Sequence, residues 1–221
     1  MPPAGQIITS RSQAFYERSG SLFSVFSNEV SVSVLPVHRP FVTPDGTVDA
    51  PASSAFAFSG ERAAFPFALR NAGNETDDFT LEIVYPAPSD FVPAFAYVFL
   101  DADRDGVVDP GEVAVSTSGD LAPGEEVSLV VEAVLPSGLL AGATAHLDLV
   151  ARSATDPAMA DDDNVVRIVA RADAQVALAL EADAASVLPG DTVGFTVRFT
   201  NDGERTATAI VLASWIDLAG M

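Results

Sequence analysis

The sequence predicts an all-β sandwich, with one complete unit between two partial ones. Three observations carry this. Short runs of alternating or β-branched residues recur along the chain and are separated by Gly, Pro, Asn and Asp clusters. One stretch of seventeen residues, 60–76, returns without a gap at 190–206. A twelve-residue acidic stretch, 101–112, interrupts two runs that both read as strand.

From the start of the chain, Gln6 to Glu17 alternates apolar and polar residues, and Val30 to Val34 is the cleanest period-two run. Residues 35–52 are rich in Pro, Gly and small side chains, and read as a linker plus an irregular first strand. Strands are expected at 55–58, 63–70, 78–85, 95–100, 113–116, 126–135, 145–152 and 165–171. Turn chemistry separates them, as in Asn71-Ala72-Gly73-Asn74 and Ala122-Pro123-Gly124-Glu125. No long helix is expected, and residues 137–143 suit a brief turn. Short strands at this spacing are those of a sandwich.

The repeat fixes the domain plan. Phe65, Phe67 and Leu69 correspond to Phe195, Val197 and Phe199 on alternate positions, as one inward strand face requires. Asn71 and Gly73 correspond to Asn201 and Gly203, an Asn-x-Gly turn. A weaker match relates Ala4-Gly5 to Ala141-Gly142, and Asn28, Val30 and Val32 to Asn164, Val166 and Ile168. Residues 1–36 thus read as the closing strands of one unit, 37–172 as a whole unit, and 173–221 as the opening strands of another. Each partial unit would expose an apolar face and a free edge. Two arrangements satisfy this: a segment of a longer tandem array, or two halves packed as one composite domain.

Composition narrows the function. The 221 residues carry a net charge of −20, every basic residue is Arg, and Lys is absent. Phosphate backbones and anionic membrane surfaces both need basic patches, so neither nucleic acid nor membrane is expected as a partner. No apolar run is long enough to span a bilayer. Cys is absent, which removes disulfides, thiolate chemistry and Cys-based zinc sites. The opening Met1-Pro2-Pro3-Ala4-Gly5-Gln6 does not read as a signal peptide.

Residues 101–112 match the calcium-loop pattern D-x-[DN]-x-[DN]-G-x5-E at every specified position. Calcium takes six to eight oxygens, so the acids must converge on one point. Asp101, Asp103 and Asp105 supply side-chain oxygens, and Gly106 permits the sharp turn. Val107 offers its carbonyl, Asp109 binds directly or through water, and Glu112 closes the site with both oxygens. A calcium ion is therefore the expected cofactor. The flanks are strands, not the long helices of an EF-hand. The alternative is an acidic surface turn, but five carboxylates in twelve residues repel one another if left empty.

Other candidates read as structural. His146 reads as a surface histidine, and no nucleophile motif accompanies either histidine. Residues Asp161, Asp162, Asp163 and Asn164 suit a solvated loop or a second calcium contributor. Asn74-Glu75-Thr76 fits a glycosylation acceptor, although the Asn better serves the turn. Phe95, Tyr97 and Phe99 share one strand face, which suggests core packing. Trp215 suits the core of the last unit.

The run Gly190-Asp191-Thr192-Val193-Gly194-Phe195-Thr196-Val197-Arg198-Phe199-Thr200-Asn201-Asp202-Gly203, followed by Thr206-Ala207, resembles the "conserved repeat" immunoglobulin-like domains of bacterial surface proteins, a domain of unknown function. The middle unit is similar through Phe67 to Phe79, through Leu121 to Glu125 and through the acidic loop. The likeness departs at residues 214–218, where the family has an Asp-x-Leu-Pro turn. The resemblance implies a tandem immunoglobulin-like β-sandwich, secreted or held at a bacterial cell surface, with a structural or adhesive role and no catalytic residues. The expected function is thus a calcium-stabilised spacer whose partners are neighbouring repeats and, in an adhesive role, a surface glycan or protein. The alternatives are a calcium-dependent adhesin or carbohydrate-binding module, and an accessory domain of a larger extracellular hydrolase.

Overall fold

The computed structural model describes residues 1–213. Trp215 and the departure at 214–218 lie outside the described residues. All regular elements among them are strands. The first four are β1 (Ile7–Ser10), β2 (Gln13–Arg18), β3 (Ser21–Phe26) and β4 (Val30–Ser33). A central set follows: β5 (Pro40–Thr43), β6 (Ser54–Ala57), β7 (Arg62–Asn71), β8 (Phe79–Val84) and β9 (Phe95–Leu100). It continues with β10 (Ala114–Val115), β11 (Glu126–Val134), β12 (Thr144–Ser153), β13 (Ala160–Asp161) and β14 (Val165–Ala170). The last two are β15 (Val176–Ala182) and β16 (Phe195–Asn201).

The chain is all-β and immunoglobulin-like, one complete sandwich flanked by partial ones. In the complete sandwich one sheet has the order β10-β9-β11-β7-β5. The other has the order β13-β12-β14-β6, with β8 beside β12. Strand β7 shows why it forms. Ala63, Phe65, Phe67, Leu69 and Asn71 are buried while the residues between them face outward, a strict period of two. Its Phe and Leu side chains join Phe79, Leu147, Leu149, Val166 and Ile168 in one core. Each such side chain contributes about 1.5–3 kcal/mol by leaving water.

The flanking pieces reproduce parts of this sandwich residue for residue. In the complete unit Val42 pairs with Leu69, and in the C-terminal piece Leu178 pairs with Phe199. Asn71 accepts the amide of Gly73 and donates its side-chain amide to Glu75 O; Asn201 does the same with Gly203 and Arg205. At the other end, β12 and β14 pair Ala145 with Ile168, and β1 and β4 pair Ile8 with Val32. Gly5 and Gly142 both turn with φ near +75°, donating to Val34 O and Ala170 O respectively.

Three expectations need correction, and one strand, β3, was not expected at all. The alternation over 6–17 forms two strands, parted at Arg11-Ser12, because β1 pairs with β4 while β2 pairs with β3. Strand β3 has no strict alternation in Ser21-Leu22-Phe23-Ser24-Val25-Phe26, and so has no sequence signal beyond its β-branched and aromatic content. His146 is not at the surface. It is buried, its Nδ1 lies 2.7 Å from Pro88 O, and its backbone amide donates to Ser89 Oγ, so the 86–90 loop covers it. Phe95 and Tyr97 do not pack in the core. They face outward, and Val98 faces in.

Candidate metal centre

The acidic loop joins β9 to β10, and its limbs are held by the ladder on both sides. Leu100 N donates to Val113 O at 3.2 Å, and Asp101 N donates to Ser128 O at 3.0 Å on the neighbouring β11. Neither limb is helical. The loop is therefore an EF-hand-like sequence mounted on a sheet edge.

Its fold follows from its side chains. Asp101 is buried and works as the loop's organiser: Oδ1 accepts the amide of Arg104 at 2.7 Å and Oδ2 that of Gly106 at 3.1 Å. Asp105 Oδ1 accepts the amide of Val107 at 2.8 Å. Gly106 has φ +78°, and a Cβ there would lie 3.3 Å from Pro66 Cβ on the outer face of β7. Gly106 is thus required both for the turn and for close seating on the sheet. Val130 points outward from β11, level with Phe99 and Pro66, yet is fully buried in the row the loop covers.

Asp101, Asp103 and Asp105 each bring one carboxylate oxygen within 4.8 Å of the others. Among the described residues no basic side chain pairs with any of the three. Loss of water around Asp103, followed by the charges of Asp105, Asp109 and Asp101, raises its carboxyl above the ordinary value. The donor set is all hard oxygen, which suits calcium rather than a thiolate- or imidazole-seeking metal.

The remaining predicted ligands sit on the exit limb. Glu112 draws the loop shut through backbone amides: Oε1 accepts Ala102 N at 2.9 Å and Oε2 accepts Asp109 N at 3.0 Å. Asp109 O accepts the amide of Glu112 at 3.1 Å, completing a one-turn exit. Val107 is exposed. The structure therefore brings Asp101, Asp103 and Asp105 together and leaves Asp109 and Glu112 outside that group, with both Glu112 oxygens taken up by backbone amides of the two limbs.

The acids at 161–163 do not join this trio. Asp162 and Asp163 are exposed, and Asp161 accepts the amide of Val42 and the side-chain amide of Asn164. Asn74 is buried, and its side chain accepts Val37 N and donates to Pro2 O and Leu35 O, so it serves the turn and the junction. Sequence reasoning missed one buried polar centre. Asp77 accepts hydroxyl bonds from Ser153 and Thr155 and lies 3.0 Å from His38 Nδ1. No spacing rule relates residues 38, 77, 153 and 155, which only the two facing sheets bring together.

No protein-family model matches the chain, and no curated protein matches it. Among solved structures it is similar to the ASH/PapD-like domain 7 of human CEP192, at 12% identity and TM-score 0.35, over 60% of this chain and 84% of that one. It is also similar to Escherichia coli alpha-2-macroglobulin activated by porcine elastase, at 14% identity and TM-score 0.31, over 79% of this chain and 13% of that one. A third is the secreted serine protease VesC from Vibrio cholerae, at 9% identity and TM-score 0.31, over 69% of this chain and 42% of that one.

Proposed function

We propose that the chain is a calcium-stabilised structural spacer of a secreted or cell-surface bacterial repeat protein. The observation that carries it is the convergence of Asp101, Asp103 and Asp105 in a strand-to-strand loop without a neutralising cation from the protein. Calcium there would relieve the repulsion, and Glu112, which bridges both limbs through the amides of Ala102 and Asp109, would have to turn toward the ion to close the site. Binding to the folded loop alone stabilises the fold by RT ln(1 + [L]/Kd), about 2.7 kcal/mol at a hundredfold excess over Kd. An extracellular module of this kind binds with a Kd of roughly 10⁻⁴–10⁻³ M. Protons compete for the same oxygens, so affinity falls as pH falls. We assign no catalytic residue. The partners in this reading are neighbouring immunoglobulin-like repeats.

The test is thermal melting of calcium-loaded protein with and without excess chelator. A domain of this size moves by about 2–4 °C per kcal/mol, so chelation lowers Tm by roughly 5–10 °C. Asp101→Ala and Glu112→Ala abolish that shift, and Asp103→Asn, which keeps an oxygen acceptor, reduces it. Superimposable melting curves refute the reading.

A second reading, calcium-dependent binding of a glycan or protein, draws on the exposed Phe95 and Tyr97, which share β9 with the start of the loop. Phe91 does not extend that patch, because it packs against the core. Glycan-array binding that Tyr97→Ala removes would favour it.

A further inference from the structure

The acidic loop leaves a groove between itself and the β5–β7 side of its sheet. The groove has a volume of about 480 Å³, within the roughly 300–1,000 Å³ of a small-molecule site, and every residue lining it belongs to the complete sandwich. Phe95 and Tyr97 line no part of it. Arg104 does, and it is the residue out of place. Its φ is +64°, in the left-handed region where a side chain is strained. Gly106, two residues on, meets the same kind of demand at +78° without strain. A cationic side chain thus stands where glycine would fit more easily, and strain of this kind clusters at functional sites. Arg62, Arg152, Arg167 and Arg171 each hold a protein partner. Among the described residues Arg104 is in no ion pair, although the loop around it carries five carboxylates.

The charge around the groove depends on the metal. With the trio empty, the carboxylates of Asp101, Asp103 and Asp105 outnumber the Arg104 guanidinium, and an anion beside it is repelled. Calcium brings two positive charges to the same point and lifts that repulsion. The guanidinium can then hold a carboxylate through two parallel hydrogen bonds. The rest of the groove favours a sugar over a peptide as the carrier of that carboxylate. An extended peptide needs free main-chain groups on the protein. Here Asp101 already accepts the amides of Arg104 and Gly106, and Asp105 accepts that of Val107. Thr43 and Ser128 instead present hydroxyls, and Pro44 and Pro66 present apolar rings on which the CH face of a sugar can lie.

We propose that this groove is a calcium-gated site for a carboxylate-bearing sugar, with Arg104 holding the carboxylate. It rests on the calcium-stabilised reading above and adds a ligand class and a regulator to it. Coupling between two sites is reciprocal, so the sugar acid tightens calcium by the same factor by which calcium tightens the sugar acid. The spacer thereby carries a ligand site that opens where calcium is abundant and closes where it is scarce.

The test is an NMR titration of the 221-residue chain with methyl glucuronide, in calcium and after calcium has been stripped, with methyl glucoside as the uncharged control. In calcium, shifts at the amides around Arg104 and Ser128 are expected to saturate with the glucuronide and not to move with the glucoside. Stripping calcium is expected to weaken binding by roughly tenfold or more, within the range of about 5–150-fold for coupled sites. Arg104→Gln is expected to abolish glucuronide binding and to keep the rise in Tm with calcium. Arg104→Gly is expected to do the same with the backbone strain at φ +64° relieved, so a loss of binding there is not a folding defect. Glucuronide binding that is equal with and without calcium, or unchanged in both variants, overturns the proposal. Binding of N-acetylglutamate amide as tight as that of the glucuronide assigns the groove to an acidic peptide and overturns it too. A chain whose Tm rises with calcium but that takes no glucuronide also overturns it while the calcium reading stands, and a chain that calcium does not stabilise loses both.

Discussion

Replacing Asp77 with alanine is expected to remove a large share of the stability of the central sandwich. The carboxylate is 3% exposed. It accepts hydroxyl bonds from Ser153 at 2.5 Å and Thr155 at 2.9 Å, and His38 Nδ1 lies 3.0 Å away. These partners come from the linker before β5, the end of β12 and the turn after it, so one side chain fastens three segments. Hydrogen bonds to a charged group are worth about 1.5–3 kcal/mol each, and their losses overlap when one acceptor serves all three. Removing one partner of a buried charged set costs about 3–5 kcal/mol, against a total stability of roughly 5–15 kcal/mol. Urea unfolding followed by circular dichroism reads this directly. At an m-value of about 2 kcal/mol/M the midpoint drops by roughly 1.5–2.5 M. Asp77→Asn, which keeps one acceptor oxygen, is expected to fall between the alanine variant and the wild type. Burial pushes the Asp77 carboxyl up, but the hydroxyls of Ser153 and Thr155 and the His38 charge outweigh it and hold the value below 3.8. A depressed carboxyl contributes stability above its unfolded value and loses it as pH falls through the folded one. The gap between wild type and Asp77→Ala should therefore be full at pH 7 and shrink below about pH 4. A midpoint shift under about 0.5 M at pH 7, or a gap that does not change with acid, would refute this account.

The repeated Asn turn supplies a matched pair. Asn71→Ala removes a fully buried amide with partners at Glu75 O, Leu121 O and Gly73 N, at an expected cost of about 2–4 kcal/mol by urea unfolding. Asn201→Ala makes the same change where the residue is exposed, and the main transition is expected to move by less than about 0.5 kcal/mol. Asp148 is buried, and lost hydration, with added repulsion from Asp162, Asp163 and Asp161, pushes its carboxyl up to about 6. A raised carboxyl binds more protons in the folded state, so this group lowers stability as pH rises from about 4 through 6. Asp148→Asn keeps an acceptor for the Asn164 amide and is expected to raise Tm at pH 7 with no gain at pH 4. Equal Tm values at pH 7 would count against it.

Strand positions were legible wherever one face was apolar and the other polar, as in β7 and β4. Orientation was not legible in β9, because Phe95, Tyr97 and Phe99 alternate with Ala96, Val98 and Leu100 and both faces are apolar. Periodicity then gives the strand but not the side that turns inward. His146 failed for a related reason. Its outward parity was right, but a loop 57 to 58 residues earlier in the chain, at Pro88 and Ser89, closes over that face. The acidic loop was legible because its constraint is local: Asp101, Asp105, Gly106 and Glu112 bond within twelve residues. The Asp77 centre depends on which sheets face each other, and no local spacing encodes that.

The two ends of the complete sandwich are fastened by different physics. At one, the neutral amide of Asn74 holds Val37, Leu35 and Pro2. At the other, Arg171 and Arg205 lie over the Phe58 ring and pair with Glu204 and Glu61. Dissolved salt weakens the second kind of joint and leaves the first nearly untouched. A string of such units pulled lengthwise would therefore bend and extend first at its arginine hinges, and brine would make it more pliant while its amide hinges stayed stiff.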